Sequence, residues 1–408
     1  MRSVQRSRGG WLLVLCLGVL AQISGAGSVH GAVPSPETGG WNALGASGRS
    51  PTAVWVVRDA LTSPKRIQTC VDEAAAAGVT DLLVQVRGRG DAYYVSRIEP
   101  VAPLLAAAWK RDGAFDPLAL VVDLAHRRGL RVHAWLNVYL VKGKSNTPAG
   151  HVTLLHPDWM AVDPRGVSMS RIPFETLIAA GNEGVHLAPG HLEVMRHFVA
   201  VVDEILDRYA VDGIHLDYCR YPKWETGYEP AMRAGFLRLT GVDPVDLAAG
   251  RGPTVDGRTG ADLLALRRRW IRWKADQVTA LVKAVRETCR DRRPGLALSV
   301  AVKPDADAAF ARYGQDWVRW VREDLVDFVT PMMYSPSART VERQAADMAA
   351  RVPPETVWAG ISVYNQPLHS AADKIRSLRA AGFGGISIFS YNSLPPGGSA
   401  LKRLGAVR

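Results

Sequence analysis

A (β/α)8 barrel is the fold that the sequence predicts, and three observations lead to it. Eight short apolar segments alternate with amphipathic ones, in the count and order of a closed parallel barrel. The first apolar segment runs into Val57-Arg58-Asp59, not into the glycine-rich phosphate turn that an open dinucleotide-binding sheet places there. Two long stretches leave from strand C-termini, the end at which barrels build their clefts.

The elements follow in order. Strands are predicted at 53–57, 81–86, 131–136, 213–216, 297–302, 328–332, 357–361 and 385–389, each a brief apolar run of the kind buried on both faces. Helices are predicted at 64–77, 116–128, 191–209, 261–290, 313–323, 340–351 and 370–381 from their 3.6-residue periodicity. Trp270, Trp273, Trp317 and Trp320 fall within these helices and are expected to pack there. The surplus segments are 141–190, with His156-Pro-Asp-Trp159 and Leu187-Ala-Pro-Gly190, and 222–260, with Trp224, Glu225 and Tyr228. Both are expected to be long functional loops.

The first 32 residues do not belong to this pattern. Arg2, Arg6 and Arg8 precede the apolar run 11–20, and small residues follow, which is the layout of a secretory signal and too short for a membrane span. Residues 33–51, rich in Gly, Pro and Ser, are expected to link it to a domain at 52–408. No later apolar run approaches the length of a span, so the mature chain is expected to lack one. Loss of the three arginines takes the net charge from +11 to +8. That excess is expected on solvated helix faces such as Arg267-Arg268-Arg269, or as an attraction to an anionic envelope or polymer. Nucleic-acid binding is not expected, because basic and aromatic residues do not interleave along one face. Cys70, Cys219 and Cys289 are far apart with no CxxC, and no His/Asp cluster has ligand spacing, so neither metal nor cofactor is expected.

In a barrel the C-terminal strand ends can be taken together. The first delivers Arg58 and Asp59, and the second Gln85, Arg87 and, past a Gly-Arg-Gly turn, Asp91. His133, Asn137 and Tyr139 lie along the third and its exit. The fourth is the most informative stretch of the chain: Val211-Asp-Gly-Ile-His-Leu-Asp-Tyr-Cys-Arg-Tyr-Pro222 projects His215, Asp217, Arg220 and Tyr221. Lys303 and Asp305 follow the fifth strand, Tyr334 the sixth, Tyr364 the seventh and Tyr391 the eighth. Aromatic faces stack on sugar rings, while Arg, Asn, Gln and carboxylates hydrogen-bond hydroxyls, so the set points to a polysaccharide. An acid directly after an apolar strand is costly to bury unpaired, which singles out Asp217. Asp212 reads as a turn or cap residue. His133 and His215 are either binding residues or satisfied core histidines, and Asp91 is either a turn residue or a catalyst.

These strand ends resemble a bacterial family of glycosyl hydrolase-like barrels, family 10 of that set, over residues 52–395. The resemblance is carried by the stretch 83–94 with Gln85, Arg87 and Asp91, by His133-Ala-Trp-Leu-Asn-Val-Tyr139, by the two insertion motifs above and, most specifically, by 211–222. It implies an exported enzyme that cuts the glycan strands of peptidoglycan. A more distant likeness is to the chitinase superfamily, whose fourth strand reads DGxDxDxE and whose sixth carries Met-x-Tyr, here Met332-Met-Tyr334. Cys219 stands where that superfamily has its general acid.

Most glycosidases use two carboxyl groups, one of which must stay protonated near neutral pH. Asp217 is the first candidate, as acid or nucleophile. The second is open among Asp91, Glu225 and Asp305, with Asp59 behind them. Alternatively the substrate's own N-acetyl group attacks, with Asp217 orienting it and Tyr334 donating to its oxygen. Arg58, Arg87 and Arg220 are expected to hold Asp217 ionised or to bind a sugar carboxylate. A non-catalytic glycan-binding barrel and a hydrolase of another extracellular polysaccharide are the competing readings.

Overall fold

The structure, a computed structural model, describes residues 50–144 and 147–407. The predicted signal at 1–32, and all but the end of the linker at 33–51, lie outside the described residues. All eight predicted strands form: β1 Thr52–Val56, β2 Asp81–Arg87, β3 Arg131–Asn137, β4 Gly213–Asp217, β5 Ala297–Val302, β6 Phe328–Pro331, β7 Trp358–Ser362 and β8 Gly385–Phe389. They pair in parallel in sequence order, β1 also pairs with β8, and bridges Val329–Val357 and Met332–Gly360 bring β6 to β7. The chain is a (β/α)8 barrel, with helices between the strands.

The interior is filled mostly by rings. Trp55, Trp135, Phe328 and Trp358 point inward, with Phe328 and Trp358 stacked at 3.9 Å between centroids. Such rings fit because facing positions are glycine. A Cβ on Gly213 would fall 2.2 Å from His133 Nδ1, and one on Gly385 would lie 2.7 Å from Trp358. Two buried polar clusters inside are paired, one at each level of the barrel. His133 Nε2 lies 2.9 Å from Asp81 Oδ1, and Arg131 donates to both Asp81 oxygens at 2.7 and 2.9 Å, at the N-terminal ends of β2 and β3. Burial alone would raise the Asp81 pKa, but His133 and Arg131 outweigh it and hold the carboxyl below its usual value. Higher up, Trp55 Nε1 donates to His215 Nε2 at 3.1 Å, leaving His215 Nδ1 to donate to Ser299 Oγ at 2.9 Å. Burial pushes His215 down to about 3, so the imidazole is neutral.

The two surplus segments differ from expectation, because much of each is structured. The first contains a two-stranded antiparallel ribbon, Leu140–Lys142 with Val185–His186, and short helices. The second, expected as a loop, folds into helices Pro230–Thr240 and Pro244–Ala249, each opened by a proline and closed by a left-handed glycine, Gly241 or Gly250. With the long helix Gly260–Arg292 these form a core of their own around Tyr228, Met232, Phe236, Leu247 and Trp270. Trp270, Trp317 and Trp320 are buried, and Trp273 packs at the edge of that core.

Outside β2 a buried charge cluster ties the barrel to its neighbours. Arg87 donates to Glu99 Oε1 through Nε at 3.0 Å and Nη2 at 2.8 Å, and His197 Nε2 lies 2.8 Å from the same oxygen. Burial opposes ionisation of Glu99, but Arg87 and then His197 bring its pKa down to about 2. A depressed carboxyl contributes stability that is complete above its unfolded value, near 4.5, and is lost as pH falls toward 2. Glu99→Gln should therefore cost about 3–5 kcal/mol at pH 7 by stranding a buried guanidinium. The difference from wild type should shrink between pH 4.5 and 2. Urea unfolding at pH 7 and at the lowest pH where the fold survives checks both; equal midpoints at pH 7 would show that the pair carries no stability.

Candidate active site

A cavity of about 500 Å³ opens at the C-terminal ends of the strands. Its floor is Trp55, Trp135 and Phe389, and its walls include Arg58, Gln85, Asn137, Asp217, Arg220, Lys303, Tyr334 and Tyr364. These eight wall residues are among those the sequence marked, now gathered from seven different strands or their exits. A hydrogen-bonded row runs across β1 to β3: Arg58 Nη1 donates to Gln85 Oε1 at 2.8 Å, Gln85 Nε2 to Asn137 Oδ1 at 3.4 Å, and Asn137 Nδ2 to Gly88 O at 2.7 Å. Opposite it, Tyr334 stacks on Phe389 at 5.2 Å, and Tyr364, half exposed at the rim, meets both edge-on.

Asp217 ends β4 and is 7% exposed. Its Oδ1 accepts from the Tyr218 N–H at 2.6 Å and from Arg220 Nη1 at 3.4 Å. Burial raises its pKa above the ordinary carboxyl value; Arg220 and the Tyr218 N–H work against that rise without cancelling it, and Glu183 adds to it. The chain turns sharply here. Tyr218 has φ +48°, a left-handed conformation unusual for a side chain of this size, and its ring lies under the Arg220 guanidinium at 4.2 Å.

Two charged lining residues were missed in the sequence, as was the floor pair Trp55 and Phe389. Arg89 comes from the Gly-Arg-Gly turn, and Glu183 from the first insertion, where it accepts a hydrogen bond from the Tyr218 phenol. Glu183 sits between two fixed neighbours. Asn182 Oδ1 accepts from Trp224 N at 2.8 Å, and Gly184 (φ +148°) presses so closely on the ribbon that a Cβ would fall 1.8 Å from Lys142 O. The lining thus sets Arg58, Arg89, Arg220 and Lys303 against two carboxyls. The cations crowd one another. Burial and then repulsion from Arg220 lower the Lys303 pKa, and Arg89 is lowered by burial and by Arg58, against attraction from Tyr218. Among the described residues, no three His, Cys, Asp or Glu side chains gather as metal ligands.

The other marked residues are placed elsewhere. A register shift between Gln85 and Arg87 breaks the strand's alternation and turns Arg87 outward to Glu99. Asp91 accepts the Arg89 N–H at 2.8 Å and shapes its turn. His133 and His215 lie inside the barrel below the cavity, as the paired core histidines described above. Tyr139 and Tyr221 are wholly buried behind the wall with Cys219. The Tyr391 phenol donates to Glu73 Oε2 at 2.9 Å in a separate depression that also holds Asp59. Glu225 accepts from the Tyr228 phenol at 2.5 Å, Asp305 caps the helix Ala306–Tyr313, and Asp212 accepts the Val132 N–H at 2.7 Å.

A carboxyl whose folded pKa is raised favours the fold fully below its unfolded value, 3.8, and costs stability once pH passes its folded value. Asp217→Asn should accordingly melt above wild type at pH 7 and together with it near pH 3. Thermal unfolding at the two pH values checks this; a lower melting temperature at pH 7 would show that the ionised Asp217–Arg220 contact is a net source of stability.

Comparison with known proteins agrees with this architecture. The sequence model of a family described as Glycosyl hydrolase-like 10 matches residues 52–374. Glycosyl hydrolase YngK of Bacillus subtilis is 24% identical over 318 residues, which is 73% of this chain and 53% of that protein. Glycosyl hydrolase DigH of Escherichia coli K12 is 24% identical over 287 residues, 67% of this chain and 58% of that protein. The chain therefore spans little more than half the length of these relatives. Among solved structures, the PgaB (BpsB) glycoside hydrolase domain from Bordetella bronchiseptica superposes with a TM-score of 0.67 at 16% identity, covering 88% of this chain and all of that one. A cold-adapted β-galactosidase from Rahnella sp. R3 gives 0.60 at 15%, covering 88% of this chain and 56% of that one. At such identities the structures speak for the fold alone.

Proposed function

The chain belongs to the Glycosyl hydrolase-like 10 family, and from that premise we propose that it is an exported glycoside hydrolase of β-linked N-acetylhexosamine polymers, with the glycan strands of peptidoglycan as its substrate. The observation that carries the reading is a buried carboxyl, Asp217, with a raised pKa, set in an aromatic-floored cavity at the C-terminal mouth of a barrel. Trp55, Trp135, Phe389 and Tyr334 offer apolar faces to sugar rings, and the Arg58–Gln85–Asn137 row offers donors and acceptors to hydroxyls. The excess of cations favours a glycan that carries carboxylates, as muramic acid does through its lactyl group. Export is supported by the layout of residues 1–32.

In this reading Asp217 acts at the anomeric centre. It accepts from the acetamido N–H and offsets positive charge at C1, while the Tyr334 phenol donates to the acetamido oxygen. Lys303, Arg220 and Arg58 hold the anionic substituent.

Product release from purified peptidoglycan, with and without stem peptides, tests the proposal, with a neutral N-acetylglucosamine polymer alongside. Wild type should release soluble glycan fragments from the peptidoglycan preparations, and Asp217→Asn should bind the strands yet release them at least about 100-fold more slowly. Fragments from the neutral polymer alone would move the assignment to another exopolysaccharide. Binding without release by wild type would make the barrel a glycan-binding module.

A further inference from the structure

The chitinase-type pattern puts its acid two residues after Asp217, and this chain has Cys219 there, wholly buried and outside the cavity. A thiol in that position cannot reach a glycosidic oxygen. The four carboxyls that the sequence offered as partners, Asp91, Glu225, Asp305 and Asp59, are each engaged elsewhere. Among the described residues, only Asp217 and Glu183 line the cavity with a carboxyl.

Glu183 does not belong to the barrel. It is brought to the mouth by the first insertion and held on both sides, through Asn182 to Trp224 of the second insertion and through Gly184 to the ribbon backbone at Lys142. A third tie fixes its side chain: the Tyr218 phenol donates to Oε2, and Tyr218 is the residue after Asp217. Behind Tyr218 lies the His186 ring, 6.1 Å between centroids. Burial, then Arg220, depress the His186 pKa to about 3, so the ring is neutral and brings no charge to Glu183, and its Nδ1 faces the Gly184 carbonyl at 3.2 Å. The two carboxyls stand in contrasting surroundings, Asp217 sunk in the wall and Glu183 exposed at the rim. A leaving sugar departs through the mouth, and Glu183 is the carboxyl on that side.

We propose that Glu183 is the second carboxyl of the reaction, the group that protonates the departing glycosidic oxygen; this rests on the glycosidase reading above. The Glu183 carboxyl gives its proton to that oxygen as the C1–O bond breaks, and the bonding pair stays with the leaving oxygen. The substrate's acetamido oxygen closes on C1, with Asp217 accepting the amide N–H. Water then adds to C1, the C1–acetamido bond opens, and the water's proton returns to the Glu183 carboxylate. The balance is one glycosidic bond and one water consumed, with both carboxyls restored.

The test compares wild type, Glu183→Gln, Glu183→Asp and Tyr218→Phe on two substrates: glycan strands freed of stem peptides, and a dinitrophenyl glycoside of the same sugar, whose leaving group needs no proton. Glutamine keeps the acceptor for the Tyr218 phenol, so Glu183→Gln removes the proton and not the contact. It should slow glycan cleavage by about 10²–10⁴-fold and leave dinitrophenyl release within about tenfold of wild type. Glu183→Asp should recover part of the glycan rate, and Tyr218→Phe should slow both substrates only modestly. Glu183→Gln at the wild-type rate on glycan, or equally slow on both substrates, overturns the assignment while the glycosidase reading stands. No turnover by wild type on either substrate removes both.

Discussion

Filling the barrel from within is the constraint on which the rest of this molecule depends. Eight strands enclose a space that here is taken up largely by aromatic rings, and Gly213 and Gly385 leave room for the His133 imidazole and the Trp358 indole that press against them. The same rings form the floor of the cavity, so packing and recognition share residues: Trp55 supports His215 from one side and faces the cavity on the other. Below, the Asp81–Arg131–His133 cluster satisfies the polar groups at the N-terminal end. Chemistry is thereby confined to one mouth.

At that mouth the electrostatics are unbalanced by construction. Burial works against the charge on Asp217, while four cations share the walls, where burial and Arg220 depress Lys303 and burial and Arg58 depress Arg89. Neither effect favours the empty protein. An anionic ligand would relieve the second effect but not the first, since less water and more negative charge both oppose ionisation of Asp217. The left-handed Tyr218 belongs to the same arrangement, since it lets Asp217 accept the next N–H while the phenol reaches across to the insertion.

Much of this was legible in the sequence, and the limits have physical causes. The strands were visible because buried parallel strands are continuous apolar runs, and Arg58, Gln85, Asn137, Asp217, Arg220, Lys303, Tyr334 and Tyr364 followed from position at strand ends. Alternation alone could not tell depth, so His133 and His215, which share a face with Asn137 and Asp217, stayed open between binding and core roles. It could not foresee the register shift that turns Arg87 outward. Nor could it place residues delivered by tertiary contact: Glu183 lies in a polar glycine-flanked turn with no periodicity, and only the ribbon pairing brings it over the barrel. The helices of the second insertion did carry signals, a proline before and a glycine after each, but their apolar residues pack on a distant stretch of the long helix and not on the barrel.

Asp217 is anchored to the barrel sheet, whereas Glu183 lies beside a separate two-stranded ribbon. The gap between the two carboxyls, which sets how wide a ligand can bridge them, is therefore a property of a loop. Insertions, deletions or a single changed glycine between residues 141 and 190 can reset it with the pairing of the eight barrel strands intact. Within one unaltered scaffold, the width of the mouth becomes a trait that can drift independently of folding.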